Sequence, residues 1–395
     1  MSDLSRPIYL DHHATTPVDP RVFEAMRPFF LEKFGNAASL NHLFGTEAAD
    51  AVERSRAEVA QLLGADSSSL LFTSGATEAN NLALLGVVRA APAGRHVIAT
   101  AAEHRSVLDP LRRLERSGTE VTFLPVDKHA RVHAEQVDAA IQPNTILVSV
   151  IFANNEVGSI NPLREIGEVC RQRKVFLHCD AVQAVGKISL DLSELPIDLL
   201  SLSAHKLYGP KGVGALYVRR DRGRIAIEPL FYGGGHERRL RSGTLPVPLV
   251  VGLGAACHIA REEMAGEAAR LTLLRERLQT GLRREIDGLS FNGHPTERLP
   301  GNLNVSFEAV DGEALLAGLT GLAVSSGSAC TSADPEPSHV LRAMGLSEAM
   351  TRASLRFGLG RTTSESEIDE AVRIVAAALR KLRGHSAVTS LPKKG

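Results

Sequence analysis

The chain has 395 residues, which at roughly 150 residues per domain predicts two or three domains and a core of ordinary size. Lysine and arginine together number 45, as do aspartate and glutamate, so no net charge draws the chain to nucleic acid or to a membrane surface. The four cysteines are too sparse for a disulfide scaffold and lack the paired spacing of a zinc site. We therefore expect a soluble cytoplasmic protein with reduced thiols, without an export signal or a membrane-spanning stretch.

Residues 47–218 alternate between helical and strand-like patterns. Short apolar runs predict buried strands over Leu70–Thr73, His96–Ala99, Val121–Leu124, Thr145–Phe152, Val175–His178 and Leu199–Leu202. Helical spacing is typical of the stripe Val52, Val59, Leu62 and Leu63, and of the segments Glu78–Arg89, Val107–Ser117 and Pro162–Arg173. This repetition predicts an α/β fold with a mainly parallel, doubly wound sheet.

The pattern changes after about residue 260, where the elements of a smaller α+β unit follow. They are a long amphipathic helix over Arg261–Asp287, a strand over Asn302–Phe307, a Ser/Gly-rich loop over 325–334, a strand over Ser354–Phe357 and a helix over Ser364–Arg383. We predict a large domain over 15–260, a small domain built from 1–14 and 261–385 that carries a mobile cysteine loop, and a polar tail over 386–395.

Polar residues follow five of the predicted strands. In chain order they are Ser74–Glu78, Glu103–His104, Asn154–Glu156, Asp180 with Gln183, and Ser203–Lys206. Ligands of doubly wound sheets bind beyond the carboxyl ends of the strands. We therefore expect these groups to face one crevice.

Two of these clusters suit an aldehyde cofactor that carries a phosphate. Ser74-Gly-Ala-Thr77 opens a predicted helix, where free N–H groups and the Thr77 hydroxyl can hold a phosphate, although the same residues also suit an ordinary helix cap. Lys206 ends a predicted strand, where a partly desolvated amine can form a Schiff base. The alternative is a lysine that extends to solvent.

Three further polar residues suit the ring of pyridoxal phosphate. Asp180 can supply the carboxylate that the ring nitrogen needs, or can cap the next helix, and Gln183 can bond the phenolic oxygen. His104 can stack on the ring and move a proton, or can be a buried structural imidazole. His12 and His13 have no metal ligands at suitable spacing, and we expect them to be structural.

Cys330 lies among small residues in Ser325-Ser-Gly-Ser-Ala-Cys-Thr-Ser332, which suits a thiol that moves between substrate and acceptor. A structural cysteine is the alternative, as we expect for Cys170 and Cys257 within apolar runs. The charges nearest to Cys330 are acidic, so its activation must come from the folded site or the substrate. Arg356, on a predicted strand, can clamp a substrate carboxylate or can be a plain surface arginine.

With these residues assembled, the chain resembles the NifS- and IscS-like cysteine desulfurases, pyridoxal-phosphate enzymes of the class V aminotransferase group. The resemblance implies a PLP-dependent transferase of fold type I that removes sulfur from L-cysteine, releases L-alanine and leaves a persulfide on Cys330. It rests on motifs that occur in order: Ile8–Pro17, Phe72–Glu78, Ala153–Gly158, His178–Gln183, Ser203–Lys206, Arg241–Thr244 and Ser325–Ser332.

The resemblance also implies a role for each matching residue. Lys206 would be the Schiff-base lysine, Asp180 the partner of the ring nitrogen, Gln183 the ligand of the phenolic oxygen and His104 the stacked acid–base residue. The phosphate ligands would be Ala76, Thr77, Ser203 and His205, with Thr244 from the other subunit of a homodimer. Asn155, beside the cofactor, and Arg356 would orient the substrate carboxylate.

The sulfur acceptor stays open, with iron–sulfur cluster assembly and tRNA thiolation as examples. No resident metal is predicted, although Cys330 is a candidate transient ligand of a nascent iron–sulfur cluster. The last residues, Ser386–Gly395, lack the segment with which housekeeping members dock a scaffold protein, so this partner is not assigned. The alternatives are a selenocysteine lyase or an aminotransferase of the same fold and, in another class, a non-catalytic sulfur-carrier module. Cys330 and the intact set of Lys206, Asp180 and His104 favour the desulfurase.

Overall fold

The computed structural model describes residues 6–92, 95–221, 223–326 and 337–389, with side chains up to residue 384. Its strands are β1 (Ile8–Tyr9), β2 (Leu70–Thr73), β3 (His96–Thr100), β4 (Glu120–Leu124), β5 (Thr145–Ile151), β6 (Phe176–Asp180), β7 (Leu199–Ser203), β8 (Gly214–Val218), β9 (Leu289–Asn292), β10 (Asn302–Phe307), β11 (Leu322–Ala323), β12 (Ser325–Ser326) and β13 (Ser354–Gly358). The strands predicted from apolar runs are all present, with ends shifted by at most two residues.

The helices surround these strands and join most of them. They are α1 (Pro20–Met26), α2 (Pro28–Leu31), α3 (Leu43–Leu63), α4 (Ala76–Ala90), α5 (Arg105–Glu115), α6 (Ala134–Ala140), α7 (Leu163–Arg173), α8 (Val247–Glu285), α9 (Gly312–Gly318), α10 (His339–Ala343), α11 (Glu348–Arg352) and α12 (Glu365–Thr389). Within the described residues, no helix combines the length and apolar character needed to cross a membrane.

The central sheet has seven strands in the order β2-β8-β7-β6-β5-β3-β4. The pairs from β7 to β4 are parallel, whereas β8 runs antiparallel to both β2 and β7. The mainly parallel sheet that the sequence predicts is therefore confirmed, and β8 is a strand that the sequence analysis missed. β8 begins at Gly214, where a Cβ atom would lie 2.8 Å from the backbone of Gly75, so only glycine permits this close approach.

Helices cover both faces of this sheet. Leu70 and Phe72 of β2 belong to a core shared with α3, α7 and α8, while Leu71 points into a second core shared with α4 and α5. Successive side chains of a strand point to opposite faces, so a strand covered on both sides is apolar throughout. This explains why apolar runs, rather than alternating patterns, mark the strands in the sequence.

A second sheet has the order β12-β13-β10-β9 and is antiparallel. It packs with the second half of α8 and with α12 around a separate core that contains Leu278, Phe357 and Val375. This agrees with the predicted α+β elements, while the division of the chain into two domains stays a prediction. Arg356 belongs to β13 of this second sheet and lies beside the edge of the central sheet.

The start of α8 differs from the sequence prediction. The helix was expected over Arg261–Asp287 but begins at Val247. Pro246 and Pro248 lie at its first turn, where a missing N–H group costs no intrahelical hydrogen bond. The first half of the helix is buried against α3 and lacks a polar face, so it shows no amphipathic pattern.

Candidate active site

A cavity of about 580 Å³ opens at the carboxyl ends of β2, β3, β5, β6 and β7. Ten of the predicted site residues line it: Ala76, Thr77, His104, Asn155, Asp180, Gln183, Ser203, His205, Lys206 and Arg356. Thr244 is exposed and is not part of this lining in the described chain. Cys330 and most of its loop lie outside the described residues.

Lys206 ends the short turn that follows β7. Its Nζ donates to the backbone carbonyls of His13 at 2.7 Å and Ala14 at 2.6 Å. Thr16 holds the N-terminal segment that contains His13 and Ala14 against this turn, because its hydroxyl and its backbone N–H both donate to the carbonyl of His205 at 3.0 Å. The N-terminal segment is therefore a wall of the cavity and holds the lysine amine in place.

Gln183 is held by hydrogen bonds that fix the orientation of its amide. Its Oε1 accepts from Lys187 Nζ at 2.7 Å, and its Nε2 donates to the His13 carbonyl at 2.9 Å. A backbone carbonyl is only an acceptor, so Nε2 of Gln183 must face the His13 carbonyl and its oxygen must face Lys187; Nε2 keeps a second N–H group. Burial, with a smaller effect of the Lys206 charge, lowers the pKa of Lys187 to about 7.

Asp180 ends β6 and is buried at the cavity wall. Its Oδ1 accepts the N–H of Val182 at 3.1 Å, but residues 182–187 form turns, so no helix follows for Asp180 to cap and the helix-cap alternative is wrong. Its Oδ2 accepts from Asn80 Nδ2 at 2.9 Å. Both bonds stabilise the carboxylate and set its direction beside the cavity.

His104 is the N-cap residue of α5. Its Nδ1 accepts the backbone N–H of Ser106 at 3.1 Å and lies 2.8 Å from the Ser106 hydroxyl. Burial lowers the pKa of His104 more than the Asp180 carboxylate raises it, so the imidazole is neutral at pH 7. Because Nδ1 is an acceptor, the neutral ring carries its proton on Nε2.

The turn between β2 and α4 suits an anion. Gly75, the N-cap residue, has φ +152° and no side chain, so it leaves the first-turn N–H groups around Ala76 and Thr77 available. Ser203 and His205 line the same cavity. Burial, followed by the Lys206 charge, lowers the pKa of His205 to about 4, so at pH 7 it is a neutral hydrogen-bonding group.

Glu78 ties this turn to the segment that carries Thr244. One carboxylate oxygen accepts the Ser74 N–H at 2.7 Å, and the other accepts Arg241 Nε at 2.9 Å. Burial works to raise the pKa of Glu78, but these bonds outweigh it and lower the pKa, so the pair is ionised. Segment 241–244 is therefore anchored to α4 while Thr244 stays exposed.

Arg356 is buried, and its guanidinium is oriented by three partners. Nη2 donates to Asp11 Oδ1 at 2.8 Å and to Ser325 Oγ at 3.0 Å, and Nη1 donates to the Asn155 carbonyl at 3.2 Å. A guanidinium has five N–H groups, so this network leaves donors for a carboxylate ligand in the cavity. The surface-arginine alternative does not describe this residue.

Comparisons with known proteins agree with this geometry. Residues 8–371 match the aminotransferase class-V family. The cysteine desulfurase IscS of Anaeromyxobacter dehalogenans (strain 2CP-C) is 54% identical over 390 residues, which cover 98% of this chain and 96% of that protein. A solved NifS-like protein superposes with a TM-score of 0.88 at 37% identity, covering 95% of this chain and 100% of that one. The chain belongs to the cysteine desulfurases of the class-V aminotransferase family.

A further solved relative of these desulfurases, SspA in complex with cysteine, has a TM-score of 0.79 and 38% identity, over 89% of this chain and 98% of that one. The family and the fold predicted from the sequence motifs are thereby confirmed.

The donor set fits pyridoxal phosphate, the cofactor that the sequence resemblance to this family implies. The cavity joins an amine, Lys206, to a carboxylate, Asp180, and to a helix N-terminus at Gly75 that has no side-chain cap. An aldehyde, a ring nitrogen and a phosphate are the groups that these three features bind.

Several residues of this desulfurase site escaped the sequence analysis. Asp11, Asn80 and Lys187 contact predicted site residues, and His13, which was expected to be structural, lines the cavity. Asn80 could have been found from the sequence, because it is a polar residue among the apolar positions of α4 that face the core. The other three are brought to the site by contacts between segments distant in the chain.

The three described cysteines are structural. Cys170, Cys179 and Cys257 are buried, and burial raises the pKa of each thiol, that of Cys170 to about 12. None of them is a thiolate at neutral pH. Among the cysteines, Cys330 remains the candidate for chemistry.

Proposed function

We propose that the chain removes sulfur from L-cysteine with pyridoxal 5'-phosphate, releases L-alanine and keeps the sulfur as a persulfide on Cys330. The observation that carries this proposal is the convergence of Lys206, Asp180, His104 and Arg356 on one cavity in a member of the cysteine desulfurases. SspA, a relative, has been solved with cysteine, the substrate proposed here.

The cofactor would be held at three places. Lys206 would bind its aldehyde carbon, and Asp180 and Gln183 would bond the ring nitrogen and the phenolic oxygen. Its phosphate would lie at the start of α4, near Ala76, Thr77, Ser203 and His205. When bound, the pyridinium ring supplies an electron sink for the carbanion formed at the substrate Cα atom.

The chain's own residues then position the substrate and move its protons. Arg356 would clamp the substrate carboxylate through its remaining N–H groups, with Asn155 beside it. Lys206, displaced from the cofactor, has an amine that can take the proton from Cα. His104, neutral and protonated on Nε2, would stack on the ring and donate from that nitrogen.

Sulfur transfer is assigned to Cys330, whose role rests on the sequence. Its thiolate attacks the substrate sulfur, so an S–S bond forms while the Cβ–S bond breaks. The electron pair of the broken bond stays with the carbon skeleton, and protonation at Cβ yields alanine. The acceptor of the persulfide sulfur, including any iron–sulfur scaffold protein, stays open, and the cytoplasmic location stays a prediction.

A homodimer is part of this proposal. An exposed apolar patch runs from α2 to the start of α3 and consists of Phe30, Leu31, Phe34, Leu40, Leu43 and Phe44. Large contiguous apolar patches are typical of protein–protein interfaces. Thr244 is exposed on an anchored segment, which suits a residue that reaches the phosphate site of a second subunit.

The test is an absorbance spectrum with and without L-cysteine, together with assays of alanine and sulfide. We expect Cys330→Ala to keep the absorbance band of the bound cofactor and to lose alanine release in a single turnover. Normal alanine release by this variant would contradict the assigned role. Selenocysteine lyase activity without release of sulfide from cysteine would support the alternative enzyme, and transamination would support the aminotransferase.

A further inference from the structure

We propose that Asn80 is a positioning residue that joins the ring-nitrogen carboxylate, Asp180, to the stacked imidazole, His104, through Ser106. The proposal rests on the proposed function, because it assigns a task to the same cofactor site. Asn80 does not itself line the cavity, and it acts through Asp180 and Ser106, which do.

The amide of Asn80 is fully buried on α4. Its Nδ2 lies 2.9 Å from Asp180 Oδ2 and 2.9 Å from Ser106 Oγ, so its two N–H groups serve two partners. The assignment of nitrogen and oxygen is fixed by chemistry, because the reversed amide would place its oxygen against a carboxylate oxygen. Asn80 therefore donates to Asp180 and to Ser106 at once.

The hydrogen bond from Asn80 to Ser106 determines which group the Ser106 hydroxyl donates to. Since Ser106 Oγ accepts from Asn80, its O–H is free to donate to His104 Nδ1, which lies 2.8 Å away. The backbone N–H of Ser106 donates to the same nitrogen at 3.1 Å. His104 Nδ1 thus accepts two hydrogen bonds, and the ring presents a protonated Nε2.

Burial, more than the surrounding charges, keeps this imidazole neutral. Burial lowers the pKa of His104 first, Asp180 and Asp109 raise it, and Lys206 and Arg105 lower it. A neutral ring with Nδ1 occupied can donate from Nε2 but cannot accept a proton there unless the Ser106 hydroxyl turns round. The Ser106 backbone N–H opposes that change, because it would then face a proton on Nδ1, and the bond from Asn80 holds the Ser106 oxygen in place.

The position of Asn80 in the fold adds a second consequence. α4 begins at the turn that suits the phosphate and carries Asn80 about one helical turn further on. One helix therefore connects the phosphate end of the site to the partner of the ring nitrogen and, through Ser106, to the residue on the ring face. Because α4 is buried against α5 and the sheet, the phosphate turn, Asp180 and His104 keep a fixed spacing.

The experiment compares three variants. Asn80→Ala removes both bonds of the amide. Ser106→Ala removes the hydroxyl that links Asn80 to His104 and keeps the bond from Asn80 to Asp180. Asn81→Ala is the control, since among the described residues the Asn81 amide donates to Thr77 O of its own helix. Two quantities are measured: the affinity for pyridoxal phosphate, and the nitrogen-15 signals of the His104 imidazole with and without cofactor, assigned with His104→Gln.

We expect Asn80→Ala to weaken cofactor affinity about 10-fold, the scale of a lost hydrogen bond to a charged group, and to shift the His104 Nδ1 signal. Ser106→Ala should shift the same signal while leaving cofactor affinity within about 2-fold of wild type, because Asn80 still holds Asp180. Asn81→Ala should change neither quantity.

The outcomes separate this inference from the proposed function. An unshifted His104 signal in Ser106→Ala overturns the link, even when Asn80→Ala fails to fold. Unchanged cofactor affinity in a folded Asn80→Ala protein overturns its role toward Asp180. The proposed function fails instead when the wild-type protein, loaded with cofactor, releases no alanine from L-cysteine, a result that does not depend on the imidazole signals.

Discussion

Burial sets the protonation of several side chains around the cavity. It lowers the pKa of Lys187 to about 7 and of His205 to about 4, and it raises that of Glu103 to about 8. Most of these groups are therefore close to neutral in the resting protein. Arg356 lines the same cavity, paired with Asp11 at 2.8 Å, at the place where the proposed function puts the substrate carboxylate.

Glu103 makes the stability of the protein depend on pH. It is fully buried, and burial raises its pKa from 4.5 to about 8 despite hydrogen bonds from Ile151 N–H and Thr100 Oγ1. Because the folded-state pKa exceeds the unfolded one, its stabilising contribution is complete below about pH 4.5 and is lost as the pH rises through about 8.

Glu103→Gln is neutral at every pH and should not show this loss. We expect its thermal midpoint to fall less than that of wild type between about pH 5 and about pH 8. Glu115→Gln, at an exposed position of α5, is the control and should follow wild type. Equal slopes for Glu103→Gln and wild type would show that Glu103 is not the group that titrates.

Arg356→Gln tests the carboxylate clamp. Loss of charged hydrogen bonds to the substrate should raise KM for L-cysteine about 10- to 100-fold, with a smaller change in kcat and an unchanged absorbance band of the bound cofactor. Arg352→Gln is the matched control, because Arg352 forms an exposed ion pair with Glu348 at 2.9 Å in α11. Steady-state kinetics that give equal KM values for both variants would refute the clamp.

At the scale of elements, the sequence predicted what local patterns encode. Apolar runs marked β2 to β7, and the polar residues after them met at one edge of the sheet, as parallel topology requires. The start of α8 was missed because its residues are mostly apolar or small on every face, so it has no amphipathic stripe. Asp11 and His13 were missed because the N-terminal segment reaches the site through long-range hydrogen bonds to Arg356 and Gln183.

The 236–244 segment is fixed to the central sheet by a buried ion pair. Arg56 of α3 donates to both oxygens of Glu237, at 2.7 and 2.9 Å, and the N–H of Phe72 in β2 donates to Glu237 at 2.7 Å. Both side chains of the pair are almost fully buried. Removal of one partner leaves an uncompensated buried charge, which costs far more than the loss of an exposed pair.

Glu237→Gln should therefore lower the free energy of unfolding by about 3 kcal/mol or more, measured by urea denaturation. Glu53→Gln removes the exposed partner of the same Arg56 and should cost less than about 1 kcal/mol. Similar losses for the two variants would mean that burial of Glu237 does not determine its contribution.

At the scale of the molecule, the described residues of a single chain leave an apolar surface uncovered. In the apolar patch between α2 and α3, the rings of Phe34 and Phe44 stack with centroids 5.5 Å apart, which joins the two ends of the segment. Exposed aromatic clusters of this kind are enriched in interface cores. Glu237 and Glu78 anchor the segment that ends in exposed Thr244, so the proposed second subunit would meet a preformed surface.

Phe34→Asp should convert the proposed dimer to monomers, because a charge at the centre of an apolar interface loses its hydration without gaining a partner. If Thr244 completes the phosphate site of the other subunit, the monomer should also bind pyridoxal phosphate more weakly. Sedimentation velocity gives the oligomeric state, and cofactor titration gives the affinity.

Leu273→Asp is the control, since Leu273 on α8 is 68% exposed and Phe34 is 65% exposed. A dimeric Phe34→Asp protein would remove the patch from the interface. A monomer with wild-type cofactor affinity would show instead that Thr244 contributes nothing to the partner's site.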